Sequence, residues 1–158
     1  MSVFGPYQSL LEEICDHYRL NLYGAHGIEH WESVYANTLI LSGVYGVDSE
    51  VFMLFALLHD SQRLDEDDDL EHGIRAAHKV QSYLEEGRII LDTKDQKRLL
   101  YACANHTKAN KSDLLYKNLI VQICLDADKL DIGRVGVIPE KSHFLTPHAQ
   151  ILVERGLK

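Results

Sequence analysis

His59 and Asp60 close an apolar stretch, Val51-Phe-Met-Leu-Phe-Ala-Leu-Leu58. An imidazole beside a carboxylate at the end of a buried helix is costly to desolvate unless something pairs with both. A divalent metal ion does so, because neutral imidazole and carboxylate are its natural ligands. Other ionisable residues fall on or at the ends of apolar helical stretches: His30, His72, His106, Asp126, Asp128 and Asp131. Taken singly, each reads as a satisfied core or surface residue. Together, from different helices, they can converge at one end of a bundle, where metal sites are built from inward-pointing side chains.

The elements that must carry these residues read as helices throughout. Leu10, Leu11, Ile14 and Tyr18 form one apolar stripe, predicting a helix from Tyr7 to about Leu20. Gly24 and Gly27 mark a turn. A second helix is expected over Ile28–Val44, with Trp31, Val34, Tyr35, Thr38, Leu39 and Leu41 on its inner side. Gly43 and Gly46 end it, and Asp48 or Ser49 can cap the third, which runs to His59-Asp60. Further helices are expected over Glu71–Glu86, Asp92–His106, Asp113–Lys129 and Pro147–Glu154. In the sixth, Leu114, Leu115, Leu119, Ile120, Ile123 and Cys124 are expected inside. No strand-like alternation persists, and no linker divides the chain. The reading is all-α: one compact bundle of six to seven helices over residues 1–158, its core at about 24–136.

The acidic run Asp65–Asp69 is not a calcium loop. An EF-hand needs Gly at its sixth position and Glu at its twelfth, and those places hold Leu70 and Ala76. A solvated loop ahead of a helix is expected instead.

Three segments taken together, His26-Gly-Ile-Glu-His30-Trp, Leu58-His59-Asp60 and Asp126-Ala-Asp-Lys-Leu-Asp131, resemble the HD superfamily of metal-dependent phosphohydrolases. Its signature is a His, a later His-Asp doublet and a still later Asp. The resemblance spans about Gly24 to Gly136. It implies that His30, His59, Asp60 and Asp128 hold a metal. Asp128 is preferred over Asp126 because it fills the Ala-Asp-Lys/Arg-Leu position of the family pattern. One divalent transition metal is expected, Mn, Fe, Co, Ni or Zn. Such an ion makes hydroxide available from bound water near neutral pH.

The resemblance also implies roles in catalysis for Asp60, Arg63, His72 and His106. Substrate contacts are expected at Arg63, His72, Arg75 and Lys129. Arg63 reads equally as a surface residue of the acidic loop. Asp131, one turn past Asp128, can orient a ligand His through its second ring nitrogen, or close the helix with Arg134. His26 shares the face of His30 or sits in the preceding turn. This chain has Trp31-Glu32-Ser33 where relatives often carry Arg two residues after the Trp.

The implied activity is hydrolysis of a phosphate ester or pyrophosphate, with a nucleotide as the plausible substrate. Two rivals stand beside it. One is a non-enzymatic module binding a nucleotide or partner in the same cleft. The other is a di-iron oxygenase, which would need His72 and His106 as ligands of a second iron.

Composition narrows the field. With a formal net charge of −8 and no long Lys/Arg run, nucleic-acid polymers and anionic membranes are not expected as partners. A small phosphorylated ligand stays open, because a metal supplies local positive charge. Cys15, Cys103 and Cys124 are odd in number and form no CxxC pair, so reduced thiols in a cytoplasmic protein are expected. No leader is visible, and the longest apolar run, eight residues, is too short to span a membrane.

Overall fold

The structure, a computed structural model, describes residues 2–156. Among these, seven α-helices and several short 3-10 turns follow one another with no strand. The helices are α1 (Gln8–His17), α2 (Ile28–Tyr45), α3 (Glu50–Leu58), α4 (His72–Glu85), α5 (Thr93–Asn105), α6 (Leu119–Leu130) and α7 (Pro147–Glu154).

Helix α3 is the centre of the bundle. Val51, Phe52 and Leu54 through Leu58 have no exposed surface. A helix apolar on every face has no solvent side, so it must be wrapped. Helices α2, α5 and α6 pack around it, and α4 packs along α5. Ser49 starts α3 by accepting a hydrogen bond from the Val51 amide. The helix then delivers His59 and Asp60 to its carboxyl end, inside the bundle.

Two glycines set distances that the site depends on. A Cβ at Gly27 would lie 1.9 Å from the Leu22 carbonyl oxygen, so the chain entering α2 tolerates no side chain there. A Cβ at Gly73 would lie 2.6 Å from the Cys103 carbonyl oxygen. Gly73 therefore lets α4 approach α5 closely, next to His72 and His106.

Three expectations need correction. The sixth helix begins at Leu119, not Asp113. Asn118 takes its amino-terminal cap, accepting from the Ile120 and Val121 amides, and the preceding segment forms a short 3-10 turn. Leu114 thus lies outside the helix and is 86% exposed. Leu39, expected inside, is half-exposed, because Asn37 and Thr38 take the inward positions of α2. The Asn37 amide donates to the Ala127 carbonyl oxygen, tying α2 to α6 next to Asp128.

Candidate metal centre

Four imidazoles and three carboxylates meet where α2, α3, α4, α5 and α6 end or begin. His30 comes from the first turn of α2 and Asp128 from the last turns of α6. His30 Nε2 lies 3.1 Å from His59 Nε2, 3.2 Å from Asp128 Oδ1 and 3.6 Å from Asp60 Oδ2. His59 Nε2 is 3.5 Å from Asp128 Oδ1 and 3.8 Å from Asp60 Oδ2. Ligands at about 2.1 Å from a common ion, with angles near 90–110°, stand about 3.0–3.4 Å apart. His30, His59 and Asp60 therefore fit one divalent cation, and Asp128 Oδ1 stands beside both imidazoles.

The other oxygen of Asp60 faces a second group. His72 Nε2 and His106 Nε2 lie 3.1 and 3.4 Å from Asp60 Oδ1 and 2.7 Å from each other. The two groups share Asp60, one oxygen to each. The sequence expects a single ion; this second trio has the same donor chemistry. His72 and His106, expected in catalysis and His72 also as a substrate contact, both lie in this second group.

Hydrogen bonds at the far ring nitrogens decide what the near ones present. His30 Nδ1 donates to Asp131 Oδ2 at 2.7 Å. His59 Nδ1 donates to the Phe55 and Ala56 carbonyls at 3.0 and 3.1 Å. His106 Nδ1 donates to the Cys103 carbonyl at 2.8 Å, and His72 Nδ1 to the Asp69 carbonyl. Each acceptor holds the proton on Nδ1, so each Nε2 turns a lone pair into the cluster. Two such lone pairs face each other in each group. A proton on one ring or a cation shared by both makes that arrangement favourable, and at His72 Nε2 the Arg63 Nη1, 3.2 Å away, is a further donor. The donor set fits a metal, and Asp131 supports His30 in the manner of a carboxylate behind a ligand imidazole.

The electrostatics agree. Burial pulls the His30 imidazole down, but Asp128 and Asp131 outweigh it and raise its pKa above the ordinary value. Burial pushes Asp60 and Asp128 up; the surrounding imidazoles more than offset this and hold both well below the usual carboxylate range. Both carboxylates therefore remain ionised and available as ligands.

Asp126, two residues before Asp128, has a different task. It is fully buried and accepts from the Leu145 amide at 2.9 Å, the Thr146 amide at 2.7 Å and the Thr146 hydroxyl at 2.7 Å. Burial raises its pKa. Its role is to pin the segment before α7 to α6.

Beside the donors lies a cavity of about 330 Å³, lined by His26, Arg63, Lys129 and Arg134 as well as by Asp60 and Asp128. Arg63 is buried against His72, with Nη1 3.1 and 3.2 Å from the two ring nitrogens and 4.0 Å from Asp60 Oδ1. Its Nε has no partner within the protein. Arg75 lies elsewhere. Its guanidinium donates to the Gln62 carbonyl and to Asp69, and it faces a separate cavity with Lys79 and Glu13.

His26 and Arg134 were not among the expected site residues. His26 Nδ1 is 2.9 Å from Asp60 Oδ2, and its Nε2 is 3.0 Å from the Glu66 carbonyl oxygen. Arg134 donates to the Ala25 and Asp131 carbonyls and so bridges the turn before α2 to the end of α6. The four-residue spacing of His26 and His30 was the visible signal for the first. The sequence held none for Arg134 beyond its place one turn after Asp131.

The fold can be placed among solved structures. The chain is similar to a predicted HD superfamily hydrolase from an uncultured Thermotogales bacterium, whose crystal structure was determined at 1.45 Å. Identity is 23%, the TM-score is 0.68, and the match covers 94% of this chain and 83% of that one. The likeness is one of fold, and the fold is all-α and HD-like. No family model and no curated protein matches the chain.

Proposed function

We propose that this chain is a member of the HD superfamily acting as a metal-dependent phosphohydrolase. The observation that carries the reading is the pair of facing Nε2 atoms on each side of Asp60, with every Nδ1 already committed. His30, His59, Asp60 Oδ2 and Asp128 would hold one ion. Asp60 Oδ1, His72 and His106 would hold a second. When bound, such ions supply Lewis-acid activation and a nucleophile from water.

The chain's own residues set the rest. Arg63, Lys129 and Arg134 line the adjoining cavity beside Asp60 and Asp128 and bring three cationic groups to an otherwise anionic protein. These groups suit phosphoryl oxygens, whose charge Arg63 offsets with a guanidinium left one donor short of satisfaction. Asp131 holds the His30 ring in the tautomer that leaves Nε2 free. The wall of α3 behind His59 keeps solvent from the cluster's inner side.

The test is phosphate release by purified protein supplied with Mn²⁺, Co²⁺ or Ni²⁺ against a panel of nucleotides and simple phosphate esters. Turnover on at least one is expected. Absence of turnover on all, with metal shown to be bound, contradicts the reading. The second donor group favours a dinuclear centre over a mononuclear one, the arrangement a di-iron oxygenase would also need. Oxygen uptake by the iron-loaded protein, without phosphate release, would select the oxygenase instead.

A further inference from the structure

Five imidazoles surround Asp60, and one of them hydrogen-bonds differently from the rest. His30, His59, His72 and His106 commit Nδ1 elsewhere and turn Nε2 inward. His26 turns Nδ1 to Asp60 Oδ2, 2.9 Å away, and Nε2 to the Glu66 carbonyl oxygen, 3.0 Å away. An ionised carboxylate and a carbonyl only accept, so both ring nitrogens donate. Arg134 Nη2, 3.3 Å from Nδ1, is a neighbouring cation and takes no proton from it. His26 therefore brings a proton to Asp60, whereas the other four offer Nε2 to a cation.

The ring is held from both sides. The His26 carbonyl oxygen accepts from Trp31 Nε1 and from the Tyr18 hydroxyl, each at 2.8 Å. Trp31 is fully buried, and Tyr18 packs edge-on against it with ring centroids 5.3 Å apart. The next residue, Gly27, has no room for a Cβ. Across the ring, Arg63 Nη2 donates at 3.4 Å to the same Glu66 carbonyl oxygen that His26 reaches. Gly24 leaves space for the Glu66 side chain, because a Cβ there would lie 3.0 Å from Glu66 Oε1. The turn before α2, the end of α3 and the acidic loop thus meet at one imidazole.

The orientation of Asp60 decides how the cluster is divided. The last torsion of an aspartate is broad and roughly two-fold, so its carboxylate settles where its partners put it. Both oxygens on one ion would leave the other donor group without a carboxylate. The His26 contact, at 2.9 Å, is shorter than those of the other four imidazoles, which run from 3.1 to 3.8 Å. We infer that His26 is the positioning residue that divides Asp60 between two ions: its bond to Oδ2 keeps Oδ1 turned to His72 and His106. The inference rests on the two-ion form of the proposed centre and adds the residue that enforces it.

The experiment measures Mn²⁺ by calorimetric titration and by the electron paramagnetic resonance signal of coupled Mn²⁺ pairs. Two coupled ions are expected in the unaltered protein. His26→Ala is expected to weaken the second ion at least about tenfold, the loss that an outer partner of a ligand brings, and to abolish the coupled signal. His26→Asn sets an amide N–H where Nδ1 stood and gives up the Glu66 contact. It is expected to restore both ions. His26→Leu takes the place of His26→Ala should that variant fail to melt cooperatively. A single ion in the unaltered protein overturns the inference. So does a coupled pair retained by the variant without a donor. So does His26→Asn as deficient as His26→Ala, which assigns the ring to tying down the Glu66 loop alone. Phosphate release by a protein that holds one ion removes the division of Asp60 and leaves the hydrolase reading intact. Two ions that depend on His26, without release from any ester, do the reverse.

Discussion

Two carboxylates in this molecule each collect several nitrogen partners, and they are not alike. Glu13, on α1, pairs with Arg88 and with Lys79 at 3.2 Å, and accepts from the Tyr83 hydroxyl at 2.9 Å. All three partners are donors, so the cluster closes on itself. Asp60 is surrounded by His26, His30, His59, His72 and His106, and four of these turn lone pairs inward. That cluster has the donor chemistry of a cation site. Crowding of charge does not make a site. A surplus of acceptors, held in place by committed protons, does.

Breaking the contrast at Asp60 should have the largest effect. Asp60→Ala removes the one side chain common to both donor groups. On the proposed phosphohydrolase function, phosphate release is expected to fall by more than about a hundredfold, since losing even an outer partner of a ligand costs about 10–100-fold. Asp131→Ala comes next. It strips the acceptor from His30 Nδ1 without touching a donor, and metal affinity should drop by about 10–100-fold in a titration while the melting curve changes little.

The third prediction concerns pH. His30 takes up its proton above the ordinary imidazole value, and that proton competes with the ion for Nε2. Asp60 and Asp128 are held low and stay ionised, so they add nothing in the neutral range. Metal affinity should therefore fall as pH drops from about 8 to about 6, with protons released on binding. Titrations in buffers of different ionisation enthalpy read both.

Gly73→Ala sharpens the comparison from the side of the fold. The added methyl meets the Cys103 carbonyl, α4 must shift from α5, and stability should fall by about 1–3 kcal/mol in chemical denaturation. Glu13→Gln should do least, under about 1 kcal/mol, because the pair is partly solvated. Neighbouring Arg88 leads in lowering the Glu13 pKa from 4.5 to about 2. Its contribution is thus present above pH 4.5 and is lost as pH falls towards 2, within the same melting experiment.

The site was legible in the sequence to the extent that its residues stand at helix ends. His59-Asp60 announced itself because α3 is apolar on every face, and an ionisable pair at its end needs a partner. The spacing Asp128 to Asp131 placed a carboxylate one turn on, and the structure finds it on His30. The two-sided use of Asp60 was not legible, because one residue reads as one ligand until the oxygens are separated in space. Nor was the division between Asp126 and Asp128 readable from spacing; it depends on a loop that returns from twenty residues later. Arg75 and His72 share a helical face in the sequence, yet Asp69 draws the arginine away from the cavity. The start of α6 was misplaced because Leu114 and Leu115 continue the apolar pattern across the Asn118 cap.

The most direct test of the central claim is the metal content of the protein after incubation with Mn²⁺ and exhaustive dialysis, measured by elemental analysis beside Asp60→Ala. Bound metal is expected in the unaltered chain, up to one ion for each donor group, and none retained by the variant. An unaltered chain that retains no metal, or a variant that retains as much, would contradict it.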